Sequence, residues 1–144
     1  MEAKKKALAE FLECSVDDLE QANYDENLFE FGVESYLVLD DEEADQYVRD
    51  RILETLWAFN TEFILSHSRI NTDNEEVVIK SIKVMQEKLC ENANPVIRAL
   101  LADEEEFIDD AVEADGRGHF LSGYDNQENE VSDSEHCFYI YRQN

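Results

Sequence analysis

Positive charge is scarce in this chain: 12 Lys and Arg stand against 36 Asp and Glu, a formal net charge of −24. That balance argues against direct binding to nucleic acid or to an anionic membrane surface, because the field of the whole protein repels phosphate. One proline and four glycines leave no room for a collagen-like, linker-like or low-complexity region. No apolar run reaches about 18 residues, so no membrane-spanning helix is expected. Cysteine is sparse as well. Cys14, Cys90 and Cys137 are widely separated and form no C-x-x-C pair, which argues against a disulfide framework and a zinc ribbon and fits reduced intracellular thiols. The amino end opens with Lys4-Lys5-Lys6, but Glu10 and Glu13 interrupt the following apolar stretch. That is too early for a signal-peptide core, and a cytoplasmic location is expected.

What the chain does have is a foldable composition. With 43% hydrophobic and 10% aromatic residues in 144, it is long and apolar enough for a core, and a single domain over 1–144 is expected. The charge is unevenly spread. Residues 1–45 carry 15 acids and 3 bases, residues 46–100 carry 8 and 7, and residues 101–144 carry 13 and 2. Two acidic ends flank a nearly neutral middle.

Periodicity gives the elements. Ala7, Leu8, Phe11 and Leu12 recur at helical spacing over about 3–13, and Ser15 with Asp18 has the capping-box spacing. From Leu28 the period becomes two, and Gly32-Val33-Glu34 reads as the turn of a β-hairpin whose second strand is apolar on both faces. Asp40 and Glu43 form a second capping-box pair. Ala44, Val48, Ile52, Leu56, Phe59 and Phe63 then predict one long central helix over roughly 41–66. Thr72 with Glu75 predicts the start of another helix, and Asn94-Pro95 an N-cap with proline at the first helical position. Asp103 with Glu106 predicts a fourth start, and Gly116 its end. Residues 118–121 and 137–141 read as two strands around a long polar loop. The expected fold is α+β: a small antiparallel sheet of about four strands from both chain ends, packed on a helical middle.

The candidate binding residues are the acidic arrays. Asp40, Asp41, Glu42, Glu43 and Asp45 open the long helix, and Asp103, Glu104, Glu105, Glu106, Asp109, Asp110, Glu113 and Asp115 line a later one. Glu106–Asp110 and Asp109–Glu113 are four residues apart, about 6 Å along a helix axis. Duplex DNA carries one charge per about 1.7 Å of axis, so a few such rows present a phosphate-like spacing to a Lys/Arg groove. Acids at helix starts are also favoured by the helix dipole, and a charge run is commonly a solvated face. Solubility, however, needs a net charge of only about 2–8 in magnitude. The polar loop adds Tyr124, Asp125, Glu128 and Glu130. Tyr24 and Tyr124 sit in acidic loops as candidate exposed anchors, whereas Tyr36, Tyr139 and Tyr141 are expected in the sheet core.

No catalytic or metal motif accompanies the acid. The window Asp125–Glu130 lacks the glycine of an EF-hand loop. His119, His136, Cys137 and Asp125 lack zinc-ligand spacing, and His67 stands apart from them. Gly116-Arg117-Gly118-His119 is neither a Walker A loop nor a Rossmann turn and reads as a helix-to-strand exit. No enzyme, cofactor or metal is expected.

Two stretches, Tyr24–Asp45 and Gly116–Arg142, resemble small acidic proteins encoded by bacteriophages and mobile elements. The resemblance implies a setting, the cytoplasm of a bacterial host, and a similarity in character to DNA-mimic anti-restriction and anti-CRISPR proteins. It implies as partner the basic surface of a host nucleic-acid-binding protein such as a nuclease. The alternative is an accessory or structural phage protein, an oligomer such as a dimer, in which Trp57 and Phe59 supply a packing surface and the acid serves solubility.

Overall fold

The computed structural model describes residues 2–144 and has an α+β fold. In chain order the elements are α1 (Glu2–Leu12), β1 (Glu20–Gln21), β2 (Leu28–Phe31), β3 (Glu34–Leu39), α2 (Asp41–Glu54) and α3 (Thr61–Ser66). They continue with α4 (Glu75–Leu89), α5 (Asn94–Leu100), α6 (Glu104–Asp115), α7 (Arg117–Leu121), β4 (Asn129–Ser132) and β5 (Cys137–Arg142). The chain divides into two compact units, Met1–Val48 with Asp115–Asn144, and Arg49–Ala114.

The first unit is built on an antiparallel sheet of order β1-β2-β3-β5-β4. The β2–β3 hairpin pairs Phe29 with Tyr36 and turns at Gly32, whose φ of +62° lies in the left-handed region that favours glycine. β3 pairs with β5 by matching Val38 to Ile140 and Leu37 to Tyr141. Directly opposed residues share a face. One face carries Phe29, Tyr36, Val38, Phe138 and Ile140, and packs against Leu8 and its neighbours on α1. The other carries Leu28, Leu37, Leu39 and Tyr141, which are buried as well. Burial on both faces is why β3 and β5 have no alternation in sequence.

The sheet has five strands, not four, and the tail differs from its expected reading. Residues 117–121 form the short helix α7, and the strand lies instead at 129–132, inside the stretch that reads as polar loop. Gly116, at φ +83° and ψ 154°, takes an extended positive-φ conformation open chiefly to glycine and redirects the chain from α6 straight into α7. Gly118 then lies against the backbone of Asn126–Glu128; a Cβ there would stand 2.5 Å from the Asn126 carbonyl oxygen. Gly118-His119-Phe120-Leu121 is too short for its periodicity to separate helix from strand.

In the second unit the expected long helix is broken. α2 stops at Glu54, a 3-10 turn covers Leu56–Ala58, and α3 restarts at Thr61 with Asn60 as N-cap, its side chain accepting from the Glu62 and Phe63 N–H groups. The backbone groups freed by the break are satisfied from far along the chain. Asn94 Nδ2 donates to the Glu54 carbonyl at 2.6 Å and its Oδ1 accepts from Trp57 N–H at 2.9 Å. Gln86, buried on α4, donates to the Trp57 and Phe59 carbonyls at 2.9 and 2.7 Å and accepts from Thr61 Oγ1 at 2.6 Å. Asn94 is therefore a brace across the break, not the N-cap of α5, which is assigned to Ala93. Thr72 likewise accepts from Asn74 N–H instead of boxing with Glu75. Phe59 packs against Phe63 and Phe107 inside this unit, with centroids 6.0 and 5.1 Å away. No helix of the described residues is long and apolar enough to cross a membrane.

Candidate functional site

The acid is not evenly divided. The first unit holds 21 Asp and Glu against 5 Lys and Arg, a net charge of −16, and the second holds 15 against 7, a net charge of −8. Within each, a few cations gather the carboxylates that the fold needs and leave the others in solvent.

In the first unit the gathering cation is Arg117, at the start of α7, with a side chain only 12% exposed. Its Nε donates to Glu128 Oε1 at 2.8 Å, and its Nη1 donates to Asp41 Oδ1 at 2.9 Å and Asp45 Oδ1 at 3.0 Å. Asp41 and Asp45 are one helical turn apart on α2, so both face the same point. The guanidinium also lies over the Tyr139 ring, 4.6 Å from its centroid. Burial alone would favour loss of the Arg117 proton; the Glu128 hydrogen bond and the surrounding anions reverse this and hold it far above the usual range. Tyr141 donates to Glu128, and burial together with that carboxylate pushes the phenol well up. Glu130, on β4, accepts from Tyr139 and from Cys137. The Cys137 hydrogen bond leads the causes that push Tyr139 up to about 12.

Asp40 and Glu43 cap α2 reciprocally. Glu43 N–H donates to Asp40 Oδ1 at 2.8 Å, and Asp40 N–H to Glu43 Oε1 at 3.0 Å. Lys4 Nζ adds a salt bridge to Glu43 at 2.6 Å. Burial would raise the Glu43 pKa, but the Asp40 N–H and Lys4 outweigh it and hold the carboxyl below its ordinary value. Asp125 accepts from the Ser122 hydroxyl at 2.9 Å and from Gln127 N–H at 3.1 Å, shaping its own loop. Tyr124, 56% exposed, is covered on one face by Arg142, whose Cζ is 3.6 Å from the ring centroid. Glu42 and Asp115 are exposed.

In the second unit, Asp103 accepts from Glu106 N–H at 3.2 Å and starts α6. Glu104 is held by Arg49 at 2.7 Å and Arg98 at 2.5 Å, and Glu105 also pairs with Arg49. The Arg98 hydrogen bond is the main reason the Glu104 pKa falls. Asp110 is bound by His67, with Nε2 to Oδ2 at 2.7 Å. The Glu106–Asp110 row is therefore interrupted by His67, while Glu106, Asp109 and Glu113 stay exposed along α6.

His67, Asp110 and Ser66 together have the residue types of a catalytic triad, and their hydrogen bonds run largely to the fold's own groups. His67 Nδ1 is 2.9 Å from the Phe63 carbonyl and 3.1 Å from Ser66 Oγ, while Nε2 is 2.7 Å from Asp110 Oδ2, so both ring nitrogens are engaged and the carbonyl and carboxylate favour an N–H on each. Ser66 Oγ itself donates to Phe63 O at 2.8 Å. Burial would lower the His67 pKa, but Asp110, the Phe63 carbonyl and Glu106 raise it.

Among the described residues no group of three or more His, Cys, Asp or Glu could hold a metal ion. Arg117 occupies the point where Asp41, Asp45 and Glu128 converge. Arg117 and Lys4 escape a reading that looks only for acid. The signal for Arg117 is its rarity, one of two bases after residue 100. Comparison with protein-family models, with curated proteins and with solved structures returns no match for this chain, so the site is read from its own geometry.

Proposed function

We propose that this chain is a non-enzymatic acidic binding protein of phage or mobile-element type. It engages the basic, nucleic-acid-binding surface of a host defence protein, a restriction or CRISPR nuclease, and presents to it a DNA-like negative surface. The observation that carries the reading is the surplus of acid after the fold has been served. Arg117, Lys4, Arg49, Arg98 and His67 take up the carboxylates that hold helix starts and turns. Exposed carboxylates such as Glu42, Glu106, Asp109, Glu113 and Asp115 are left over. A charge of −16 on the first unit is well beyond the magnitude of about 2–8 that solubility asks of a small domain, and it destabilises the compact state by self-repulsion.

The test is competition. The protein, added to a nuclease bound to labelled duplex DNA, displaces the DNA at low salt, and the displacement weakens steeply as salt rises. DNA that stays bound in the presence of excess protein contradicts the reading.

A second reading, an oligomeric accessory protein, draws on Val77 and Val84, seven residues apart on α4, and on Val96, which are exposed. Phe59 packs inside its own unit, so these valines take over the role that the sequence assigns to Trp57 and Phe59. Light scattering separates the two: a stable oligomer that leaves DNA on its nuclease favours this alternative.

A further inference from the structure

A groove of about 310 Å³ in the first unit lies between α1 and the turn joining β4 to β5. None of its carboxylates belongs to the acidic arrays of α2 and α6. Its apolar lining is Ala3, Ala7, Val131 and Phe138. Along α1, Glu2, Lys6 and Glu10 follow one another at four-residue steps, so they share the face that borders it. The opposite wall is the turn Asp133–His136. It is fixed by an Asp133 N–H bond to the His136 carbonyl at 2.8 Å, and by Asp133 Oδ1 accepting from the Glu135 and His136 N–H groups at 2.7 Å each. The His136 ring stacks nearly parallel on Phe138, with centroids 5.4 Å apart and planes 12° apart, while the residue stays exposed.

Glu2, Glu10, Asp133 and Glu135 line this groove with Lys6 and His136; Asp133 Oδ1 is taken by the turn's N–H groups and lies 3.7 Å from His136 Nδ1, so Glu2, Glu10 and Glu135 remain against Lys6 and the balance favours a cation. The volume is at the low end of small-ligand pockets, about 300–1,000 Å³, and suits a side chain. An apolar lining receives a methylene stem, and an exposed aromatic ring beside carboxylates suits a planar cation that stacks and bonds in a fork.

We infer that this groove receives an arginine side chain of the basic protein that the acidic surface engages; the inference rests on the proposed binding of a basic partner. The stem lies on Ala7 and Phe138, and the guanidinium stacks on His136 within reach of Glu10 and Glu135. Lysine has the charge but neither the plane nor the fork, so it is the poorer occupant.

The experiment titrates the ¹⁵N-labelled full chain with the blocked tripeptide acetyl-Gly-Arg-Gly-amide, its lysine counterpart and its uncharged citrulline counterpart. Amide shifts should concentrate in residues 3–10 and 131–138, with arginine bound about two- to fivefold tighter than lysine and citrulline not detectably bound. The double variant Glu10→Gln with Glu135→Gln, both exposed, should weaken the arginine peptide about tenfold without disturbing the rest of the spectrum. Shifts spread over the carboxylates of both units, or equal binding of arginine and citrulline, would overturn the assignment. A second arm applies the same variant to the nuclease competition. If it displaces DNA as well as the parent does, the groove assignment fails and the functional reading stands. If the arginine peptide seats here while no nuclease loses its DNA, the groove assignment stands and the functional reading fails.

Discussion

Arg117 Nη1 lies 2.9 Å from Asp41 Oδ1, a contact across 76 positions of sequence that ties the start of α7 to the start of α2. The same guanidinium holds Asp45 and Glu128, so its removal leaves three carboxylates facing one another. Breaking a buried pair by deleting one partner is worth about 3–5 kcal/mol. Asp41 and Asp45 are 70% and 69% exposed, so water screens part of that. We expect Arg117→Gln to lose about 2 kcal/mol in urea denaturation, with partial recovery in high salt as the three anions are screened. An unchanged denaturation midpoint would mean that Arg117 only decorates the surface.

Gln86 serves three groups at the break between α2 and α3, the Trp57 and Phe59 carbonyls and the Thr61 hydroxyl. Gln86→Leu keeps the volume close and removes all three hydrogen bonds. Each is worth about 1 kcal/mol net, so a loss of about 3 kcal/mol is expected, with the second unit opening first in hydrogen exchange. Protection that falls equally in both units would show that the brace is not local.

At Gly118 a methyl group would meet Asn126 O at 2.5 Å, Gln127 C at 2.8 Å and Glu128 N at 2.9 Å, all of them backbone. Backbone has little room to give, so Gly118→Ala should cost about 1–3 kcal/mol, as overpacking does, and shift the amide resonances of residues 126–128. Full stability in this variant would place the loop elsewhere.

The His67–Asp110 pair makes a pH signature. Because the folded His67 pKa is raised, its contribution is complete below the unfolded value of about 6.5 and is lost as pH rises through the folded one. The stability difference between the parent and His67→Gln should therefore shrink from pH 6 towards pH 9. Glu43 runs the other way. Its folded pKa is depressed, so its contribution holds above the unfolded carboxyl value and disappears as pH falls through the folded one. Denaturation midpoints across pH 3–9 for the parent, His67→Gln and Glu43→Gln check both signs; a difference that grows above pH 6 for His67 would contradict the pairing.

Much of this fold is written locally. The Asp40–Glu43 and Ser15–Asp18 boxes form as their spacing predicts, and β3 and β5 are interior strands as their unbroken apolar runs imply. What is not local is not legible. The stripe Ile52, Leu56, Phe59, Phe63 keeps its period in sequence across the break, while the groups that stabilise the break, Gln86 and Asn94, are about 30 to 40 residues away. α7 is too short to show a period, and the loop backbone that Gly118 admits beside it lies eight to ten residues further on. The acidic arrays are equally visible in sequence, but which members are held internally depends on five cations whose partners only the fold reveals. Asp41, Asp45, Glu104 and Asp110 thus belong to the fold's own ion pairs, and Glu42, Glu106, Asp109 and Glu113 remain for an outside partner.

That division is the central claim, and one comparison tests it directly. The variant Glu42→Gln, Glu106→Gln, Asp109→Asn and Glu113→Gln neutralises only exposed carboxylates and leaves every named ion pair intact. The measurement is displacement of labelled duplex DNA from restriction endonucleases and guide-loaded CRISPR nucleases, at fixed salt, by this variant and by the parent. The account predicts that the parent displaces DNA from at least one of them and that the variant, equally stable, does so at least about tenfold less well. A variant that displaces DNA as effectively as the parent, or a parent that displaces it from none, would contradict the account.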